Sequence, residues 1–174
     1  MWLSRTFAPL VLLAMLLPLS ACGFNPLYGV DKTGFSDPQA ELATIRVGNI
    51  PDRLGQQVRN QLVAYLTPKR EGAQKHYALN IRLALSSEGT ALAQDESATR
   101  YNLQLVAYFE LVSLASNKKV FSGQARSIAV FNVITSEYAT LIARQDAERR
   151  AARDVAEELR TRLAVFFSRR TKAS

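Results

Sequence analysis

The sequence predicts an α+β fold: two helices packed on one face of a four-stranded, mostly antiparallel sheet, in the order β-α-β-β-β-α. Three observations predict it. Residues 76–87 and 99–116 alternate apolar and polar side chains with period two, the signature of strands with one buried face. Residues 54–66 carry apolar side chains four apart, which makes one stripe on a helix. Residues 136–167 hold neither Gly nor Pro and are rich in Ala, Arg, Glu and Leu, so the chain closes on one long helix. Helices gathered on one side of such a sheet form a two-layer sandwich.

The elements follow in order. "ATIRVGNI" (43–50) is a short strand with Ile45, Val47 and Asn49 on one side. Pro51-Asp52 opens the first helix, with Asp52 expected as its cap. Leu54, Val58, Leu62 and Leu66 form the stripe, Tyr65 widens it, and Pro68 stops it. In "HYALNIRLALSS" (76–87), Tyr77, Leu79, Ile81, Leu83 and Leu85 take one face. A loop is expected over 88–96. The third strand puts Tyr101, Leu103, Leu105, Ala107, Phe109 and Leu111 inward. Asn102, Gln104, Val106, Tyr108, Glu110 and Val112 face outward, and Val106, Tyr108 and Val112 are more apolar than free water favours. "NKK" (117–119) is a tight turn, and 120–134 is a fourth strand with Gly123 as a bulge. Ser136 caps the last helix, whose stripe is Ala152, Val155, Ala156, Leu159, Leu163 and Phe166. Asp146–Arg150, Arg150–Asp154, Arg153–Glu157 and Glu158–Arg162 are opposite charges four apart on its wet side. A crossover from the first strand through the first helix to the second is expected.

The leading segment is of another kind. Arg5 precedes an apolar run from Phe7 to Leu19, broken by Pro9 and Pro18. It falls short of the roughly 20 apolar residues a membrane span needs and suits the core of a secretory signal. The run ends in Leu19-Ser20-Ala21-Cys22, and Cys22 is the sole cysteine. This pattern resembles a bacterial lipobox. The resemblance implies cleavage after Ala21, a diacylglycerol on the Cys22 sulfur and acylation of the new amino group. One chain holds marginally and two or more hold stably, at about 0.8 kcal/mol per buried methylene. In enterobacterial lipoproteins an aspartate after the cysteine resembles an inner-membrane retention mark, so by that resemblance Gly23 points to the outer membrane. The expected organisation is a signal peptide over 1–21, a lipidated tether over 22–42, the sandwich over 43–167 and a basic tail over 168–174. Loss of Arg5 lowers the net charge from +7 to +6, and a basic surface favours an anionic partner. Export excludes nucleic acid from that role.

Little in the chain suggests catalysis. His76 is the only histidine, and no serine has an evident base beside it. No His/Cys/Asp/Glu group has metal-ligand spacing, and no Gly-rich loop enters a helix as a phosphate cradle. No cofactor or metal is expected, and the reading is of a binding or assembly protein.

"CGFNPLYG" (22–29) after a lipobox resembles the start of the lipopolysaccharide-assembly lipoprotein family LptE, in its alphaproteobacterial form. "ATRYNL" (98–103) is similar to that family's third strand. "SEYATLIARQDAERRAARDVAEELRTRL" (136–163) is similar to its last helix, with Tyr138-Ala139 and Asp146-Ala147 in place. The resemblance implies an outer-membrane lipoprotein on the periplasmic side. It would plug the barrel LptD, assist that barrel's assembly and take part in lipopolysaccharide transport to the outer leaflet. Direct lipopolysaccharide binding would fall to Arg100, Lys118 and Lys119, at the ends of the sheet, as partners for lipid A phosphates. Two rival readings are an auxiliary lipoprotein of a lipid-transport ABC system and a periplasmic hydrolase.

Overall fold

The computed structural model describes residues 38–67, 73–92 and 98–172. Seven elements follow: α1 (Pro38–Ala43), β1 (Ile45–Val47), α2 (Asp52–Leu66), β2 (Tyr77–Leu92), β3 (Ala98–Ser113), β4 (Lys119–Asn132) and α3 (Glu137–Lys172). The sheet order is β1-β2-β3-β4. β1 pairs parallel to β2, and the other neighbours are antiparallel. This is the expected α+β sandwich, with one short helix more than the sequence pattern gives.

The strand alternation decides which face is covered. Leu79 and Ile81 of β2, Leu103, Leu105, Ala107, Phe109 and Leu111 of β3, and Ala125, Ala129 and Phe131 of β4 are buried. The pairs Leu79↔Leu111, Ile81↔Phe109 and Leu103↔Ala129 place them on one side. α3 lies over β3 and β4, while α2 packs on α3 and β1. The α3 stripe is buried from Ala147 to Phe167 and includes Val155, Leu159 and Leu163. Small Ala151, Ala152 and Ala156 let the helix come close to the strands.

α1 lies within the segment read as tether. Its Leu42 is buried in the core, and Thr44 Oγ1 donates to the Glu41 carbonyl at 2.7 Å as the helix ends. Asp52 does not cap α2. It is the helix's first residue, at φ 68°, and Pro51 holds the cap position without any side-chain hydrogen bond. Gln56 braces the entry instead, donating from Nε2 to the Ile50 carbonyl (2.7 Å) and to Asn49 Oδ1 (3.0 Å). Pro68, the expected stop, lies outside the described residues. The last turn is closed by Thr67, whose N–H and hydroxyl both donate to the Val63 carbonyl.

Three other expectations change. The loop over 88–96 is shorter, because β2 runs on to Leu92 and pairs Gly89↔Tyr101, Ala91↔Arg100 and Leu92↔Ala98 through two register shifts. Gly123 is no bulge. It sits in regular pairing with Phe109, and the register shifts near Val120, where Val112 pairs with Lys119. A Cβ at Gly123 would stand 3.2 Å from two Phe109 ring carbons, so the glycine makes room for that ring. The last helix continues to Lys172. Its cap is as expected: the Ala139 N–H donates to Ser136 Oγ at 3.3 Å. Asp146–Arg150 and Glu158–Arg162 pair as expected. Asp154 instead accepts the Ser127 hydroxyl at 2.9 Å and ties α3 to β4.

Candidate functional site

Among the described residues, no helix covers the second face of the sheet. Across its strands run the rows Asn80–Glu110–Ser122, Arg82–Tyr108–Gln124, Ala84–Val106–Arg126, Ser86–Gln104–Ile128 and Glu88–Asn102–Val130. Tyr108 is 47% exposed, and Val106 and Val112 are half-buried. All three stand where the alternation predicts. Ile128 (53% exposed) and Val130 (43%) join them from β4, and sequence reasoning missed both. The signal was present: once β4 is paired in register, Ile128 lies opposite Gln104 and Val130 opposite Asn102. Arg82 and Arg126 flank the apolar centre. Glu110 is held by Lys119 at 3.5 Å.

The apolar surface continues past the end of β4. Ile134, Tyr138, Leu141 and Ile142 are all exposed, Tyr138 most of all at 74%. Tyr138, Leu141 and Ile142 are three and four apart, so they share one side of the first turns of α3. Thr140 Oγ1 accepts from the Ile134 N–H at 3.1 Å and fixes this corner.

The candidate phosphate contacts do not converge. Arg100 is exposed near the start of β3, with Nε 3.5 Å from Asn132 Oδ1. Lys118 and Lys119 are exposed at the β3–β4 turn, where the Lys118 carbonyl accepts the Ser113 N–H at 2.9 Å. β3 lies between them. From Arg100 to Val112, the partner of Lys119, the strand extends about 40 Å at roughly 3.3 Å per residue. Arg100 and the lysine pair therefore serve opposite ends of the sheet. Cys22 lies outside the described residues. His76 is exposed, and its backbone joins β1 to the turn: its N–H donates to Thr44 and its carbonyl accepts from Leu114. Among the described residues no group of three or more His, Cys, Asp or Glu could hold a metal ion, and no helix is long and apolar enough to cross a membrane.

Fold and surface together define a class: a two-layer α+β domain with an exposed strand face and an apolar corner at one end. A family model described as LptE, lipopolysaccharide-assembly, matches residues 42–163. The chain belongs to that family, one of non-enzymatic lipoproteins of the cell envelope that serve lipopolysaccharide assembly. An uncharacterised protein of Rickettsia prowazekii (strain Madrid E) is 24% identical over 161 residues, 92% of this chain and 98% of that one. A crystal structure of a protein from Caulobacter crescentus CB15, described as a lipoprotein, superposes with a TM-score of 0.62 at 24% identity, over 78% of this chain and 98% of that one. The rare lipoprotein B of Shewanella oneidensis gives 0.56 at 11% identity, over 72% and 95%. At these identities the structures establish a shared fold.

Proposed function

We propose that the protein is anchored on the periplasmic side of the outer membrane through an acylated Cys22. There it seats in the lumen of the barrel LptD, assists that barrel's assembly and takes part in moving lipopolysaccharide to the outer leaflet. The observation that carries this reading is the family match over residues 42–163, which spans the whole sheet, α2 and most of α3. The open face supports it. Large outer-membrane barrels have polar interiors, and a strand face that mixes Arg82, Gln104 and Arg126 with Tyr108, Ile128 and Val130 suits such a wall. Lys118 and Lys119 at one end, and Arg100 at the other, are proposed as separate contacts for lipopolysaccharide phosphates.

Affinity purification in gentle detergent tests the reading. LptD is expected to co-purify with the intact protein, and an Ile128→Lys, Tyr108→Ala variant to retain much less of it. A protein that ran alone, or came with an ABC permease, would overturn the proposal. Neutralising Arg100 and the Lys118/Lys119 pair separately should show which end meets lipopolysaccharide.

A further inference from the structure

A second surface lies at the far end of α3, away from the apolar corner. A cleft of about 480 Å³ opens between the start of β4 and the last turns of the helix. Its floor is apolar. Phe121 and Phe166 stack there with ring centroids 4.7 Å apart and planes 9° from parallel, and Val165 stands beside them, 42% exposed. The floor is anchored in the core: Phe121 meets Phe109 edge-on at 5.4 Å, and Phe166 meets Phe167 at 5.2 Å. Its rim is cationic. Arg162, Arg169 and Arg170 line the opening, and among the described residues no carboxylate does. Arg162 is held by Glu158 at 2.6 Å, and Arg170 donates to the Tyr77 hydroxyl at 3.0 Å. Exposed Arg169 has no ion pair among the described residues.

The chemistry of such a cleft is specific. Guanidinium groups bind phosphate through paired hydrogen bonds. Aromatic and aliphatic side chains below them take hydrocarbon from water. Neither half explains the other: a plain anion gains nothing from Phe121 and Val165, and a plain hydrocarbon gains nothing from three arginines. The volume falls within the roughly 300–1,000 Å³ that holds one small ligand. It suits a single acyl chain.

We propose that this cleft holds one acyl chain of an anionic phospholipid, with the phosphate at Arg162, Arg169 and Arg170. The proposal is independent of seating in a barrel. The full chain, purified in nonionic detergent, is titrated with a lysophosphatidylglycerol below its micelle concentration, and its thermal midpoint is followed. Lysophosphatidylcholine tests the charge of the head, glycerol 3-phosphate tests the head alone, and an acidic peptide is the competitor.

Saturable stabilisation by the anionic lysolipid is expected, with lysophosphatidylcholine at least about tenfold weaker and glycerol 3-phosphate without effect. Arg162→Ala with Arg169→Ala should weaken binding about tenfold, and Val165→Asp should do the same through the floor. Arg153→Ala, on the same helix away from the cleft, should leave it unchanged. Circular dichroism identifies any variant that fails to fold, and the arginine and valine variants decide independently. Equal binding of the two lysolipids, indifference to both sets of variants, or displacement of the lysolipid by the acidic peptide would overturn the proposal.

Discussion

Gly55 is where α2 meets its own entry. It is buried, and a Cβ there would stand 2.7 Å from Ile50 Cγ2 and 2.9 Å from the Ile50 carbonyl oxygen. The backbone cannot yield without moving Ile50, which is itself buried in the core. Gly55→Ala gains about 1 kcal/mol of helix propensity but overpacks at a cost of roughly 1–3 kcal/mol. A net loss of stability is expected, measured as a lower denaturation midpoint in urea. Ser136 presents the opposite case. Its side chain satisfies a free N–H at the start of α3, so Ser136→Ala should cost about 1 kcal/mol, read by equilibrium unfolding. Two caps were legible by residue type, and only one formed. Asp52 follows a proline held at φ −63°, ψ 164°, and its own φ of 68° takes it out of the geometry that turns a carboxylate onto the helix N–H groups. Residue type suggests a cap, but the neighbouring backbone decides it.

At the scale of elements, α3 is the keystone of the core. Leu159 and Leu163 are fully buried against the sheet, and Leu159→Ala should cost about 2–5 kcal/mol, read by equilibrium unfolding. Glu148 links the two helices, accepting from Arg53 of α2 at 2.7 Å with Arg144 at 3.4 Å. Both arginines are more than half exposed, so they rehydrate readily when the carboxylate is lost, and Glu148→Gln should cost no more than about 1 kcal/mol. The open face behaves differently again. Ile128→Lys removes no core contact, so the unfolding free energy should move by less than about 0.5 kcal/mol while partner capture falls. Sequence alternation located β3 and both its faces, because one side is buried over most of its length. It lost the end of β2. Beyond Leu85 the inward positions Ser87 and Gly89 are exposed and carry no apolar side chain, so the ladder continues through backbone pairing alone and leaves no apolar period to read.

For the whole molecule, the order of elements and the covered face were legible because each helix carries one stripe and the sheet one apolar side. The proposed contact surface was legible only in part. Val106, Tyr108 and Val112 were visible on a strand whose other face was plainly core. Tyr138, Leu141 and Ile142 were not, since an apolar triplet on a helix looks the same whether buried or bare, and only packing separates the two. The proposed anchoring concerns the entire protein. If Cys22 carries the lipid proposed above, Cys22→Ser should leave the fold unchanged and abolish the lipid mass, as followed by circular dichroism and mass spectrometry. The topology also sets an order of opening. β2, β3 and β4 are chain neighbours joined through hairpins. β1 contributes only Ile45–Val47 and reaches β2 through a crossover, so its pairing closes late and loosens first. In deuterium exchange, the Gly48 amide, bonded to the Leu79 carbonyl, should therefore trade its proton well before the amides of β3, giving this margin its own clock while the central ribbon stays shut.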